Sequence, residues 1–114
     1  MAGEAVYVNV AEGSARIMNN IKLYVKLLGK FKSDNNLNDL EAAIAAGDLV
    51  KAQNAAHTIK GVAANLAFTE LFTQCLELEN QIKSGAVNPA QLETVKTVFA
   101  ATLQEIDRVI SENG

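Results

Sequence analysis

Apolar residues recur at every third or fourth position along most of the chain. From residue 20 the first such stripe consists of Ile21, Tyr24, Leu28 and Phe31, and after the polar run 33–36 it resumes at Leu37, Leu40 and Ile44. This spacing places apolar side chains on one face of an α-helix. The segment 20–46 therefore predicts a first long helix, which is either kinked or interrupted at the polar run.

Three further helices are predicted between residue 49 and the C-terminus. Gly47 and Asp48 mark a stop and a start, because glycine suits the left-handed position after a helix and aspartate caps the next one. Thr69 is the expected N-cap of the third helix, and Asn88 with Pro89 begins the fourth. The three stripes are Leu49, Ala52, Ala56, Ile59, Ala63 and Leu66; Leu71, Cys75, Leu78 and Ile82; and Leu92, Val95, Phe99, Leu103, Ile106 and Ile110.

Four long stripes joined by short connections predict an all-α protein, an antiparallel up-and-down four-helix bundle. The aromatic content of 5% also favours closely packed helices over a β-sandwich. We expect a single domain over residues 1–114, with the bundle at 20–112, because this length suits one hydrophobic core. Residues 1–19 are expected to form an N-terminal arm with a short helix around residues 11–17.

Charge and composition exclude several classes of function. The net charge is −3 and the ten Lys and Arg residues are scattered, so no nucleic-acid partner is expected. No apolar run approaches the roughly 20 residues that span a membrane, and we expect a soluble, cytoplasmic monomer. A Met1 start and an end soon after the last stripe fit a free-standing protein. With one cysteine, Cys75, and one histidine, the chain lacks the ligands of a usual zinc site, so no cofactor is expected in it.

His57 is the only histidine, and it lies in the second predicted helix. At about 100° per residue it shares a helical face with Gln53, Gly61 and Ala64, at the edge of the apolar stripe where it reaches solvent. Histidine titrates near neutrality, so an exposed imidazole can act as a nucleophile at physiological pH.

Three residues surround His57 in a pattern that suggests a reactive site. Lys60 lies about 60° around the helix, close enough to neutralise a doubly charged group on the ring. Gly61 costs the helix about 1 kcal/mol relative to alanine, which suggests that a macromolecule approaches there. If the following turn is centred near residue 68, Glu79 faces His57 across the helix pair. A carboxylate that accepts from Nδ1–H would leave the Nε2 lone pair free.

The stretch Ala56-His57-Thr58-Ile59-Lys60-Gly61, continued by Ala64-Asn65-Leu66, Cys75, Leu78 and Glu79, resembles the histidine-containing phosphotransfer (HPt) domain of multistep phosphorelays. The motif match covers roughly residues 50 to 84. The resemblance implies a four-helix bundle whose histidine accepts a phosphoryl group from a receiver-domain aspartate and donates it to another receiver. By position, His57 resembles the phosphoacceptor and Lys60 the charge-neutralising lysine. Gly61 resembles the small residue that admits the receiver, and Glu79 the residue that is Gln or Glu in the family.

The chain departs from the family pattern at two places. Val62 stands where a small residue, often Ser, follows the glycine, and Ala67-Phe68 stands where Gly-Ala often follows Asn-Leu. We expect Val62 to remove one polar contact near the phosphate and Phe68 to change the surface presented to a partner.

The resemblance implies a phosphotransfer intermediate without kinase activity of its own. Its partners would be response-regulator receiver domains, a sensor histidine kinase, or both, with Mg²⁺ held by the receiver. Docking is expected around Gly61 and Ala64, extended by Ile17. Two alternatives remain open: the phosphoacceptor domain of a chemotaxis-type kinase, and a receiver-docking module that is not phosphorylated. A cofactor-binding bundle is disfavoured, because di-iron sites need paired Glu-x-x-His units and haem usually needs a second axial ligand.

Overall fold

The computed structural model describes residues 6–113, and within that range every regular element is an α-helix. The helices are α1 (Val10–Ala15), α2 (Ile21–Phe31), α3 (Asn36–Ala45), α4 (Leu49–Leu66), α5 (Thr69–Ser84) and α6 (Pro89–Asn113). The predicted all-α class is therefore confirmed. The first five residues of the predicted arm, and Gly114, lie outside the described residues.

One side of the bundle consists of two helices, α2 and α3, stacked end to end. α3 packs along the N-terminal half of α4, while α2 meets the C-terminal end of α4 and lies against α6. Between them the chain turns at Asp34, whose Oδ1 accepts a hydrogen bond of 2.7 Å from the backbone N–H of Asn36. The polar run is thus a true interruption, and α2 with α3, α4, α5 and α6 form the four sides of the predicted bundle.

The core lies between these sides and is aliphatic apart from a small aromatic group. The ring of Phe31 lies 4.9 Å from that of Phe68 and 5.1 Å from that of Phe99, measured between centroids. Phe68 is fully buried, so the expectation that it changes the partner-facing surface is wrong. The predicted burial of Leu49 is also wrong: this residue is exposed, because it is the first residue of α4 and precedes the packed turns.

A two-residue turn connects α4 to α5. Ala67 has a left-handed backbone with φ of 62°, and its N–H donates to the carbonyl of Ala63. The N-cap position of α5 is occupied by the apolar Phe68, and Thr69 is already the first helical residue, so the prediction of Thr69 as N-cap is wrong. Burial of the Phe68 side chain sets this register. Because the turn is so short, residues equally distant from it on α4 and α5 face each other.

The N-terminal segment lies across this turn. The carbonyl of Val6 accepts from the N–H of Glu70 at 2.8 Å, and the N–H of Asn9 donates to the carbonyl of Ala67 at 2.9 Å. The short helix α1 follows and is capped by the side chain of Asn9, which accepts from the N–H of Glu12. The predicted short helix is thereby confirmed, and it is attached to the end of α4 and the start of α5.

Candidate functional site

The imidazole of His57 projects from the middle of α4 with 69% of its side chain exposed. Its neighbours toward the core, Ala56 and Ile59, are buried, so the ring lies at the edge of the apolar stripe as predicted. Nδ1 is 3.4 Å from Oε2 of Glu79, which is longer than a formed hydrogen bond. Nε2 is the ring nitrogen turned away from this contact, and it is the atom available to an incoming group.

Glu79 lies on α5 opposite His57, within one residue of the position that a turn at Ala67 and Phe68 places there by symmetry. Its side chain is only 3% exposed, because it lies between the buried residues Leu78 and Ile82 on the inner edge of α5. A carboxylate is rarely buried unless it is paired. The structure therefore brings the predicted histidine and carboxylate together, in a more buried position than a helix-edge glutamate usually has.

Lys60 is paired with this carboxylate. Its Nζ is 2.7 Å from Oε1 of Glu79, and its side chain is 19% exposed. The contact is an ion pair outside regular hydrogen-bond geometry, since Oε1 has no hydrogen-bond partner among residues 6–113. The lysine thus lies beside the ring, as expected, with its charge directed at Glu79.

A second lysine, Lys83, belongs to the same cluster and was not predicted. Its Nζ is 3.6 Å from Oε2 of Glu79, the oxygen that also faces His57, and its side chain is about half exposed. Its position four residues after Glu79 on α5 was the available sequence signal, because such pairs share a helical face.

These cations determine the ionisation of the buried carboxyl group. Burial by itself raises the pKa of Glu79, but the contact with Lys60, and the charges of Lys60, Lys83 and His57, outweigh it and lower the pKa below its usual value. Glu79 is therefore ionised at neutral pH. Burial, with the charge of Glu79, raises the pKa of the nearby Cys75 thiol to about 12, so this residue is a protonated core side chain and not a nucleophile.

Gly61 opens the surface next to His57. A Cβ atom built on it would meet no heavy atom of the described residues within 4 Å, apart from its chain neighbours and its own helix backbone. Internal packing therefore does not require glycine at this position, and a close helix crossing is excluded as its reason.

Val62 and Ile17 lie on neighbouring surfaces. Val62 is partly buried and lines a groove with Leu27 and Asn65, between α2 and α4. It faces α2 and not the ring, so the expectation that it removes a polar contact near the phosphate is wrong for this geometry. Ile17 lines the adjoining groove beside Asn65, at the C-terminal end of α4.

Residues 6–113 contain no group of three or more His, Cys, Asp or Glu side chains placed to hold a metal ion. Over the same range, no helix combines the length and apolar character that crossing a membrane requires.

Comparison with known proteins identifies a family and a similar structure. The family model described as the Hpt domain matches residues 28–111, a range that includes His57, Lys60, Gly61 and Glu79. The crystal structure of histidine-containing phosphotransfer protein B (HptB) from Pseudomonas aeruginosa PAO1 matches with a TM-score of 0.83 and 26% sequence identity, over 96% of this chain and 98% of that chain. No curated protein sequence matches the chain.

Proposed function

The chain belongs to the Hpt domain family, and from this premise we propose that His57 is the residue that carries the phosphoryl group, with Lys60, Gly61 and Glu79 assisting it. The protein is a histidine phosphotransfer protein of a phosphorelay. The observation that carries the residue assignment is an exposed imidazole whose Nδ1 faces a buried, ionised carboxylate.

The proposed reaction is an in-line displacement at phosphorus. The Nε2 lone pair of His57 forms the N–P bond while the bond from phosphorus to the aspartyl oxygen of a receiver breaks, and its electron pair leaves with the aspartate carboxylate. The ring keeps its proton on Nδ1 and becomes cationic. Glu79 accepts from Nδ1–H and stabilises that cation, so the 3.4 Å contact is expected to shorten during transfer.

Under this proposal Lys60 pairs first with the carboxylate of Glu79 and then with the phosphoryl group. In the unphosphorylated protein its ammonium group is held 2.7 Å from Oε1 of Glu79. A phosphoryl group on Nε2 brings more negative charge than a carboxylate to the same neighbourhood, and the flexible lysine chain lets the ammonium move to it. Lys60 would then neutralise the phosphoryl oxygens, while Glu79 pairs with the cationic ring.

Gly61 provides the room that a partner needs. Members of the family interact with receiver domains or kinases in phosphorelays. We propose that a receiver docks over Gly61 and Ala64 and supplies the Mg²⁺ and most of the catalysis, so that this chain has no kinase activity of its own. A monomer that docks weakly suits this exchange, because each partner must leave before the next one binds.

Phosphate transfer to the His57→Gln variant is the deciding experiment. A receiver phosphorylated on its aspartate is mixed with wild-type or variant protein, and acid-labile, base-stable phosphate on the chain is measured. We expect the wild type to acquire this phosphate and the variant to acquire none, because glutamine cannot form the N–P bond. Circular dichroism should show the same helix content in both, since the side chain is exposed.

Transfer that persists in His57→Gln would refute the assignment of the phosphoacceptor. If the wild type instead takes phosphate from a histidine-kinase catalytic domain and not from any receiver, the chain is the phosphoacceptor of a chemotaxis-type kinase. If neither donor labels the wild type, it is a docking module.

A further inference from the structure

The carboxylate of Glu79 contacts two lysine side chains in addition to the imidazole of His57. Lys60 is 2.7 Å from Oε1, Lys83 is 3.6 Å from Oε2, and the His57 ring is 3.4 Å from the same Oε2. Over residues 6–113 these three are the basic side chains whose nitrogen lies within 4 Å of the carboxylate, and none on α1, α2, α3 or α6 comes so near. The Cys75 thiol, also on α5, is protonated and adds no charge.

A carboxylate beside a histidine has two opposing effects on a nucleophile. It orients the ring by accepting from Nδ1–H, which exposes the Nε2 lone pair. Its negative charge also stabilises the imidazolium form, in which Nε2 carries a proton and cannot attack. An orienting carboxylate therefore favours reaction where another cation competes with the ring for the oxygen that faces it.

The two lysines approach the carboxylate most closely at different oxygens. The shortest contact of Lys60 is with Oε1, and that of Lys83 is with Oε2, the oxygen that lies nearest the ring. We propose that Lys83 is a positioning residue of the phosphotransfer site, which acts through Oε2 of Glu79 to keep the His57 ring oriented with its Nε2 lone pair free. This inference rests on the proposed function of His57.

An ordinary surface pair is the alternative explanation of the Lys83 contact. Glu and Lys four residues apart form weak, solvent-screened pairs on many helices. The carboxylate here differs from such pairs because its side chain is 3% exposed and also contacts a lysine and a histidine of another helix. Charge added or removed at Lys83 is therefore transmitted to the ring by a buried group.

The dependence of the transfer rate on pH tests the proposal. Transfer from a phosphorylated receiver is measured between pH 5.5 and 8.5, roughly the range in which histidine titrates, for the wild type, Lys83→Met, Lys83→Arg and Lys26→Met. The acidic limb of the profile is the low-pH range in which the transfer rate falls. In Lys83→Met we expect this limb to move to higher pH by about half a pH unit. Transfer would then be roughly threefold slower at pH 6 and little changed at pH 8. Lys83→Arg keeps the positive charge and should therefore have the wild-type profile. Lys26→Met removes an exposed charge from α2 and should change nothing.

A second pair of variants tests the route through Glu79. In a Glu79→Gln background the carboxylate charge is gone, so Lys83→Met is expected to leave the acidic limb where it is. An equal displacement in both backgrounds would mean that Lys83 acts on the ring directly, and a Lys83→Met profile identical to that of the wild type would mean that it does not act at all. Either result overturns the proposal while leaving the function of His57 intact. A wild type that accepts no phosphate would instead refute the proposed function itself.

Discussion

Two regions that border α4 each combine a helical glycine with a polar side chain from a neighbouring helix. The glycine leaves open space in one region and is closely packed in the other. The open site consists of His57, Lys60, Gly61 and Glu79, and a Cβ at its glycine would meet empty space. The closed junction consists of Gly13, Tyr24 and Leu66 at the C-terminal end of α4. A Cβ at Gly13 would lie 2.4 Å from the Tyr24 ring, closer than packed atoms allow.

Their polar groups differ in the same way. In the closed junction the Tyr24 hydroxyl is fully buried and donates a 2.6 Å hydrogen bond to the Leu66 carbonyl, which a helix end otherwise leaves unpaired. Burial, reinforced by the charge of Glu12, raises the Tyr24 pKa to about 12, so the hydroxyl keeps its proton. Glu79 instead contacts three side chains, one of which is the exposed ring of His57. A single buried contact stabilises one arrangement, whereas several partners allow rearrangement during a reaction.

The largest effect is expected from Gly61→Gln in the open site. A Cβ at this exposed position meets no atom of the described residues, so folding should be unaffected or slightly favoured. It would occupy the space through which a partner approaches, and a displacement of about 1 Å in reacting groups can slow a reaction on the order of 100-fold. We expect a transfer rate lower by about that factor, measured with a phosphorylated receiver, together with a thermal unfolding midpoint that is unchanged or slightly raised.

Gly29→Gln is the matched control for this prediction. Gly29 also lies in a helix, and a Cβ there also meets no atom of the described chain within 4 Å, but it lies on α2, which contributes no residue to the open site. Its transfer rate should equal that of the wild type. If the two variants slow transfer equally, the open space at Gly61 is not an approach route.

Gly13→Ala is expected to have the next largest effect, and on stability. The new methyl group would overlap the ring of Tyr24, so α1 must move away from α2 or the ring must shift within the core. Overpacking of this kind costs about 2–3 kcal/mol, more than the gain of about 1 kcal/mol from replacing a helical glycine by alanine. The free energy of unfolding in urea should therefore fall by about 1–2 kcal/mol.

Gly29→Ala and Gly61→Ala complete this comparison, because both add the same methyl group in open space. Each should raise the free energy of unfolding by up to about 1 kcal/mol. The contrast between the closed junction and the open site fails if Gly13→Ala is as stable as these two variants.

The open site could largely be predicted from the sequence, and the closed junction could not. The pairing of His57 with Glu79 follows from helical periodicity and one short turn, which are local properties of the chain. Gly13 is necessary because of a side chain on another helix, and no local pattern indicates that contact. A glycine that leaves space and a glycine that fills a close contact have the same appearance in a sequence.

The errors at the α4–α5 turn have a related cause. Thr69 has the residue type of an N-cap, but burial of Phe68 in the core decides where α5 begins. Propensity at a helix end is worth about 1 kcal/mol, whereas burying an aromatic side chain contributes roughly 2–3 kcal/mol. Tertiary packing therefore overrides the local signal. The contact of Lys83 with Glu79 could not be predicted for a different reason. Most Glu and Lys pairs four residues apart on helices are solvated, so this spacing alone does not indicate a site.

The smallest effect is expected from Tyr24→Phe, which alters the closed junction without changing its shape. The variant keeps the ring that packs against Gly13 and loses the hydrogen bond to the Leu66 carbonyl. One hydrogen bond contributes about 1 kcal/mol to stability, so the free energy of unfolding should fall by about that amount. Transfer to His57 should keep its wild-type rate, because the hydroxyl contacts the end of α4 and not the ring. A slower transfer without loss of stability would show that the end of α4 influences the reactive site, and the two regions could then no longer be treated as independent.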